Sequence, residues 1–254
     1  MLVTTDLKKN NYIRLKNILK HIKASKEKGE KLLAILLDPD KLTIDEIPNT
    51  IIKINQNKVD FIFVGGSTVS EGITDKFVKE IKEFTQIPIV LFPGDFEQVT
   101  DHADALLFLS LLSGRNAEYL IGQQIKSVEK IQKSSLEIIS TGYILIDGGV
   151  KTSVEKVSKT TPILQSNIKE ITNTAIAGEY LGKQLIYLEA GSGATEAVSH
   201  KIINEVANSI KIPLIVGGGI RTKKQLQIAY ENGADLIVIG TAFEENSSIL
   251  TSII

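Results

Sequence analysis

The stretch Tyr187-Leu188-Glu189-Ala190-Gly191-Ser192-Gly193 ends an apolar run with a phenol and a carboxylate, then falls to nearly bare backbone. Side chains alternate along a strand, so Tyr187 and Glu189 point to one side and Leu188 to the other. A carboxylate at such a tip can take the proton of a substrate hydroxyl and make it a nucleophile. The phenol can position that hydroxyl or a phosphate. The bland reading of Glu189 is a salt bridge at a rim. Gly191, Ser192 and Gly193 offer backbone N–H donors, and glycine lets an anion approach with no Cβ in the way.

Two later stretches have the same character. Gly217-Gly218-Gly219-Ile220-Arg221 and Gly240-Thr241-Ala242-Phe243-Glu244 each follow an apolar run. Gly218, Gly219, Gly240 and Thr241 are candidates for holding a phosphate, with Thr241 adding a hydroxyl. Arg221 and Lys223 follow closely and can add charge or face solvent. A single glycine-rich turn would be only a tight turn. Three on successive runs point to a phosphate site. At the other end of the chain, Leu36-Leu37-Asp38-Pro39-Asp40-Lys41 places Asp38 at a strand tip, where a carboxylate can hold Mg²⁺ together with a substrate phosphate. Ser67 offers a hydroxyl at the next tip. An Asx-type turn or helix cap is the plain alternative for Asp38, and suits Asp40 better. His21, His102 and His200 have no partner motif and read as structural or solvated.

These residues need a scaffold that brings strand tips together. Apolar runs recur at 31–37, 60–64, 88–92, 105–110, 142–146, 184–189, 213–216 and 235–240, each closed by Gly, Asp, Ser or Pro or followed by one within two residues. Runs of this kind are strands buried on both faces of a parallel sheet. Helical stripes lie between them: Phe77, Val78, Ile81 and Phe84; Ala197, Val198, Ile202, Val206 and Ile210; Leu226, Ala229 and Tyr230. A further helix is expected at about 167–182. Eight strands alternating with helices in 254 residues predict an α/β fold, a modified (β/α)₈ barrel (TIM barrel) with its site on the loops after the strands. The gap at 93–104 is too short for a crossover helix, so one helix is reduced or replaced. A doubly wound sheet would need a G-x-G-x-x-G turn after its first strand, which is absent. The expected organisation is one domain over residues 1–254, with a helix at 13–22 before the first strand. That helix reads as packed under the fold, the alternative being a membrane-surface helix.

Composition excludes whole classes. With 29 Lys plus Arg against 30 Asp plus Glu, the chain lacks the basic excess of a general nucleic-acid binder. It has no cysteine, which removes disulfides, thiolate catalysis and zinc–thiolate sites and is compatible with a reducing compartment. No secretory signal is expected. The longest apolar run, residues 32–37, is far short of the roughly 20 residues that span a bilayer.

Taken in order, the stretches at 36–41 (LLDPDK), 63–68 (FVGGST), 91–94 (LFPG), 107–116 (LFLSLLSGRN), 187–194 (YLEAGSGA), 216–221 (VGGGIR) and 240–244 (GTAFE) make the chain resemble the geranylgeranylglyceryl phosphate synthase family of prenyltransferases, in its longer-chain group and including bacterial members. The resemblance implies a barrel lacking one regular helix. It implies transfer of a geranylgeranyl group from its diphosphate to the C3 hydroxyl of sn-glycerol 1-phosphate, with diphosphate released. Asp38 and Ser67 would hold the Mg²⁺ cofactor. Tyr187, Leu188, Glu189, Ala190, Gly191, Ser192, Gly193, Gly218, Gly219, Gly240 and Thr241 would hold glycerol phosphate, with Glu189 as base and Tyr187 beside it. A cytoplasmic homo-oligomer with no transmembrane segment, compatible with peripheral membrane contact, is expected. The prenyl tail needs an apolar groove, for which the residues around Leu106–Leu112 are candidates. Competing readings are prenyl transfer to another phosphorylated three-carbon acceptor such as 3-phosphoglycerate, a phosphate-binding barrel isomerase or cyclase, and a non-catalytic lipid-phosphate carrier.

Overall fold

A computed structural model describes residues 17–246 and Ile249. The first part of the expected helix, with Ile13 and Leu15, lies outside the described residues. Its remainder begins α1 (Ile18–Lys28). Eight parallel strands follow: β1 (Leu32–Leu37), β2 (Phe61–Val64), β3 (Ile89–Leu91), β4 (Ala105–Leu111), β5 (Glu137–Leu145), β6 (Leu185–Glu189), β7 (Leu214–Gly217) and β8 (Leu236–Ile239). Each pairs with its successor and β8 pairs with β1, closing a barrel. The connections carry α2 (Ile47–Asn55), α3 (Ile73–Phe84), α4 (Gln123–Gln132), α5 (Ser153–Ser158), α6 (Ile168–Tyr180), α7 (His200–Ser209) and α8 (Lys223–Glu231), and α9 (Thr241–Glu245) follows β8. Between β3 and β4 there is only a single 3₁₀ turn, Phe96–Gln98, as the short gap requires.

Alternation sorts the apolar residues into two cores. Ile35, Ile62, Leu91, Ile186, Leu188, Val216 and Ile237 face outward and pack under helix residues such as Ile51, Phe77, Ile171 and Ile202. Phe61, Phe63, Leu107, Tyr143, Leu185, Tyr187, Ile215 and Val238 face inward and fill the barrel. Fully burying one such side chain contributes about 1.5–3 kcal/mol, so two continuous cores are ample to hold the ring closed.

α1 belongs to the inner core: Ile18 and Ile22 pack with Leu32, Ala105, Leu185 and Leu236 at the starts of the strands. Its first N–H groups, on Ile18 and Leu19, donate to the Glu137 carboxylate at 2.5 and 3.0 Å. A carboxylate at a helix N-terminus stabilises it by about 1 kcal/mol. The helix is thus a plug for the lower end of the barrel, which leaves the ends of the strands open at the top.

Three details differ from the sequence reading. β5 begins at Glu137, before the apolar run at 142–146, because Ser140, Thr141 and Gly142 still pair with β4. Ala197 and Val198 precede α7 rather than forming its first turn. α2, α4 and α5 fill gaps for which no apolar stripe was read.

Candidate active site

A cavity of about 330 Å³ opens at the top of the barrel, within the usual ~300–1,000 Å³ of small-ligand sites. Asp38, Ser67, Tyr187, Glu189, Gly191, Ser192, Gly218, Gly219, Gly240 and Thr241 all line it. The ends of five strands, β1, β2, β6, β7 and β8, have therefore converged as barrel geometry demands. Gly193 sits at its rim and donates its N–H to Thr241 Oγ1 at 3.2 Å. Leu188 and Ala190 turn outward into the helix-facing core. Ala190 uses its N–H on the Gly217 carbonyl at 3.1 Å.

β6 aims Tyr187 and Glu189 into the barrel. Glu189 is only 6% exposed and, among the described residues, has no cation beside it. Burial pushes its pKa from the usual 4.5 up to about 7, against smaller opposing effects of the Tyr187 hydroxyl and the Gly191 N–H. That N–H donates to Glu189 Oε1 at 2.7 Å and fixes the carboxylate. The Tyr187 hydroxyl is fully buried and makes no hydrogen bond of good geometry among the described residues. It lies close enough to Glu189 to favour the carboxylate, while burial and that same charge hold the phenol itself well above its ordinary pKa. The Tyr187 ring stacks on Phe92 at 5.2 Å and meets Tyr143 edge-on at 5.5 Å. A base near neutrality is thus set in an aromatic wall, beside an orphan hydroxyl that a ligand can satisfy.

The pair depends on Gly217, which the sequence reading passed over. Gly217 pairs directly with Glu189, and a Cβ there would fall 2.6 Å from both Glu189 Oε2 and Tyr187 Oη. Gly218 has φ +80°, and a Cβ on it would meet Glu189 Oε1 at 2.5 Å and the Gly191 nitrogen at 2.7 Å. The glycines at the end of β7 therefore make room for the Glu189 carboxylate and the Tyr187 hydroxyl. Ser192 Oγ and Thr241 Oγ1 lie 3.1 Å apart and join the loops after β6 and β8. The N–H groups of Gly191 and Gly193 are engaged internally, so this loop meets an anion with the Ser192 hydroxyl, beside Thr241 Oγ1 and the Lys41 amine.

On the opposite side, Asp38 Oδ1 accepts the Asp40 N–H at 3.0 Å. Asp38, not Asp40, is thus the residue that makes the Asx turn. Its Oδ1 also lies where a Cβ on Gly66 would be, at 2.5 Å, beside Ser67. Burial raises the Asp38 pKa, and the Asp40 N–H and Lys41 partly oppose this. A carboxylate and a hydroxyl are hard oxygen donors of the kind that Mg²⁺ takes when it shares itself with a substrate phosphate. Among the described residues no three His, Cys, Asp or Glu side chains converge to hold a metal by themselves, so the donor set fits a shared cation rather than a dedicated cage.

The remaining wall is apolar. Leu109, Leu111, Tyr119, Tyr143, Val154 and Val157 extend the cavity sideways past Gln124. Of the stretch Leu106–Leu112, only the inward-facing Leu109 and Leu111 contribute. Tyr119 comes from a π-helical turn, Glu118–Gly122, which follows neither the helical nor the strand period. Arg221 lines the rim with its guanidinium on Glu245 at 2.5 Å, while Lys223 begins α8 outside the cavity. Asp147 lies outside the cavity wall and accepts the Gly149 N–H at 2.9 Å. His21 stands edge-on to Phe61 below the barrel, His102 faces Asp75 at 3.5 Å on the surface, and His200 opens α7.

The sequence profile of the PcrB family matches residues 24–254. The chain is 56% identical over 223 residues to the geranylgeranylglyceryl phosphate synthase of Zunongwangia profunda, covering 88% of this chain and 94% of that protein. It is 44% identical over 229 residues to the enzyme of the same name from Thermococcus gammatolerans, covering 88% of each. Among solved structures it is similar to (S)-3-O-geranylgeranylglyceryl phosphate synthase from Thermoplasma acidophilum in complex with its substrate sn-glycerol-1-phosphate. The TM-score is 0.87 and the identity 31%, over 93% of this chain and 95% of that one. A mutant tryptophan synthase α-subunit from Pyrococcus furiosus, at 11% identity and TM-score 0.55, shares the fold alone.

Proposed function

The chain belongs to the PcrB family, and from that premise we propose that it is a prenyltransferase joining a geranylgeranyl group to the C3 hydroxyl of sn-glycerol 1-phosphate as an ether. The observation that carries this reading is the buried Glu189, with a pKa of about 7, beside the glycine-rich cradle of Ser192, Gly218, Gly219 and Thr241. One small molecule bearing a hydroxyl and a phosphate can satisfy both. The structure with bound sn-glycerol-1-phosphate supports the acceptor.

Glu189 accepts the hydroxyl proton as the acceptor oxygen bonds to C1 of the prenyl group. The bond from C1 to the diphosphate oxygen breaks, and its electron pair leaves with diphosphate. Tyr187 orients the acceptor and excludes water from the base. Asp38 and Ser67 would hold Mg²⁺, which when bound neutralises charge on the departing group. Leu109, Leu111, Tyr143 and Val154 give the prenyl chain an apolar wall. Among the described residues no helix is long and apolar enough to cross a membrane. The solvent-facing Ile121 in the π-helical turn, Ile125 and Val128 on α4, and Tyr180 and Leu181 at the end of α6 support a homo-oligomer.

Incubation with Mg²⁺, sn-glycerol 1-phosphate and a mixture of prenyl diphosphates should give an extractable ether whose mass identifies the donor. No product at any chain length overturns the reading. Competition with 3-phosphoglycerate separates the acceptors. Loss of turnover in Glu189→Ala with retained phosphate binding separates an enzyme from a carrier.

A further inference from the structure

Lys41 stands where three loops meet. Its Nζ lies 2.9 Å from Glu244 Oε2, 3.2 Å from Ser192 Oγ and 3.9 Å from Asp38 Oδ2. The amine therefore reaches from the loop after β1 to the loops after β6 and β8. All four residues line the same cavity. Lys41 is nearly half exposed, whereas Asp38 and Glu244 are largely covered. Glu244 is the odd member. It places a carboxylate at the edge of a cradle whose hydroxyls and glycines suit an anion, and its charge is answered by Lys41.

We propose that Lys41 is a cation exchanged between Glu244 and the phosphate of the acceptor. In the free protein Glu244 holds it 3.2 Å from Ser192. A phosphate seated on Ser192 and Thr241 takes the amine's hydrogen bonds in place of Glu244, since a dianion outcompetes a monoanion for the same ammonium. Glu244 is then an internal competitor that sets how tightly a phosphate must bind to claim the cradle. A neutral polyol cannot make the exchange, so the pair also selects for phosphorylated acceptors. This deepens the function proposed above and rests on its placement of the acceptor phosphate.

The opposite charges of the pair give opposite predictions. By calorimetry on the full chain without prenyl donor, Lys41→Gln weakens binding of sn-glycerol 1-phosphate and of inorganic phosphate by roughly ten- to a hundredfold, the value of a charge-assisted hydrogen bond. Glu244→Gln strengthens both several-fold, and Lys41→Arg retains most of the affinity. The double variant binds like Lys41→Gln alone. Melting curves verify that each variant is folded. Weakening by Glu244→Gln as severe as that by Lys41→Gln makes the pair a structural clasp and overturns the exchange, as does unchanged binding in Lys41→Gln. Either result leaves the acceptor reading intact. A wild-type chain that binds neither phosphate species overturns both.

Discussion

Replacing Glu189 by Gln should stabilise the folded protein while abolishing turnover, and the gain should depend on pH in a defined direction. The Glu189 pKa is about 7 in the fold against 4.5 for an unperturbed carboxylate, the cause being burial. Between those values the folded state holds a proton that the unfolded chain has released. Stability from this group therefore falls as pH rises from 4.5 to about 7, and the full penalty persists above it. At about 1.4 kcal/mol per unit, the ionised carboxylate costs roughly 3 kcal/mol above pH 7. Glutamine removes that cost, and its amide oxygen can still accept the Gly191 N–H. Urea denaturation should show the variant more stable by roughly 3 kcal/mol at pH 8, and by less than about 1 kcal/mol at pH 5. A gain of equal size at both pH values, or a loss at pH 8, would refute the reasoning.

In the wild-type chain kcat/KM should fall about tenfold per pH unit below 7 as the base protonates; a profile flat from pH 5 to 8 would remove Glu189 from that role. Tyr187→Phe deletes a buried hydroxyl without a good partner, so melting should show unchanged or raised stability while KM for the acceptor rises; a loss above about 2 kcal/mol would reveal an unseen partner. Gly218→Ala brings a methyl group to 2.5 Å from Glu189 Oε1 at φ +80°, which should cost at least about 1–2 kcal/mol of stability and most activity; a fully active variant contradicts the packing. Asp38→Asn keeps an oxygen for the Asp40 N–H but loses charge, so turnover should drop and its Mg²⁺ requirement rise in a titration, whereas an unaltered Mg²⁺ dependence places the cation elsewhere.

The barrel was legible because strands covered on both faces are written as unbroken apolar runs. The strength of that signal is also its limit. β5 hides its first half behind Ser140, Thr141 and Gly142, whose small side chains leave no apolar run although their backbones pair fully. Tyr187 and Glu189 were legible from alternation alone. Gly217 was visible as part of a triplet, but its role depends on standing opposite Glu189 across two strands. Lys41 shows no function within its own motif, because its partners Ser192 and Glu244 lie 151 and 203 residues away. Tyr119 enters the cavity from a π-helical turn, where neither period of 2 nor of 3.6 applies, and Gln124 from the first turn of α4.

The pairing of β8 with β1 joins residues 236–239 to residues 32–35, so the inner core is incomplete until the last strand has been synthesised and has inserted. Up to that moment a nascent sheet exposes two free edges, the state in which an α/β chain is most open to misassembly. The helix beyond β8, α9, carries Thr241 and Glu244, which reach Ser192 and Lys41 on loops of strands already laid down. On the proposed function, a phosphorylated acceptor seated there would bridge the same seam that closes the ring. Because such a ligand would bind only the closed ring, it would hold the seam shut by mass action as well as serve as substrate.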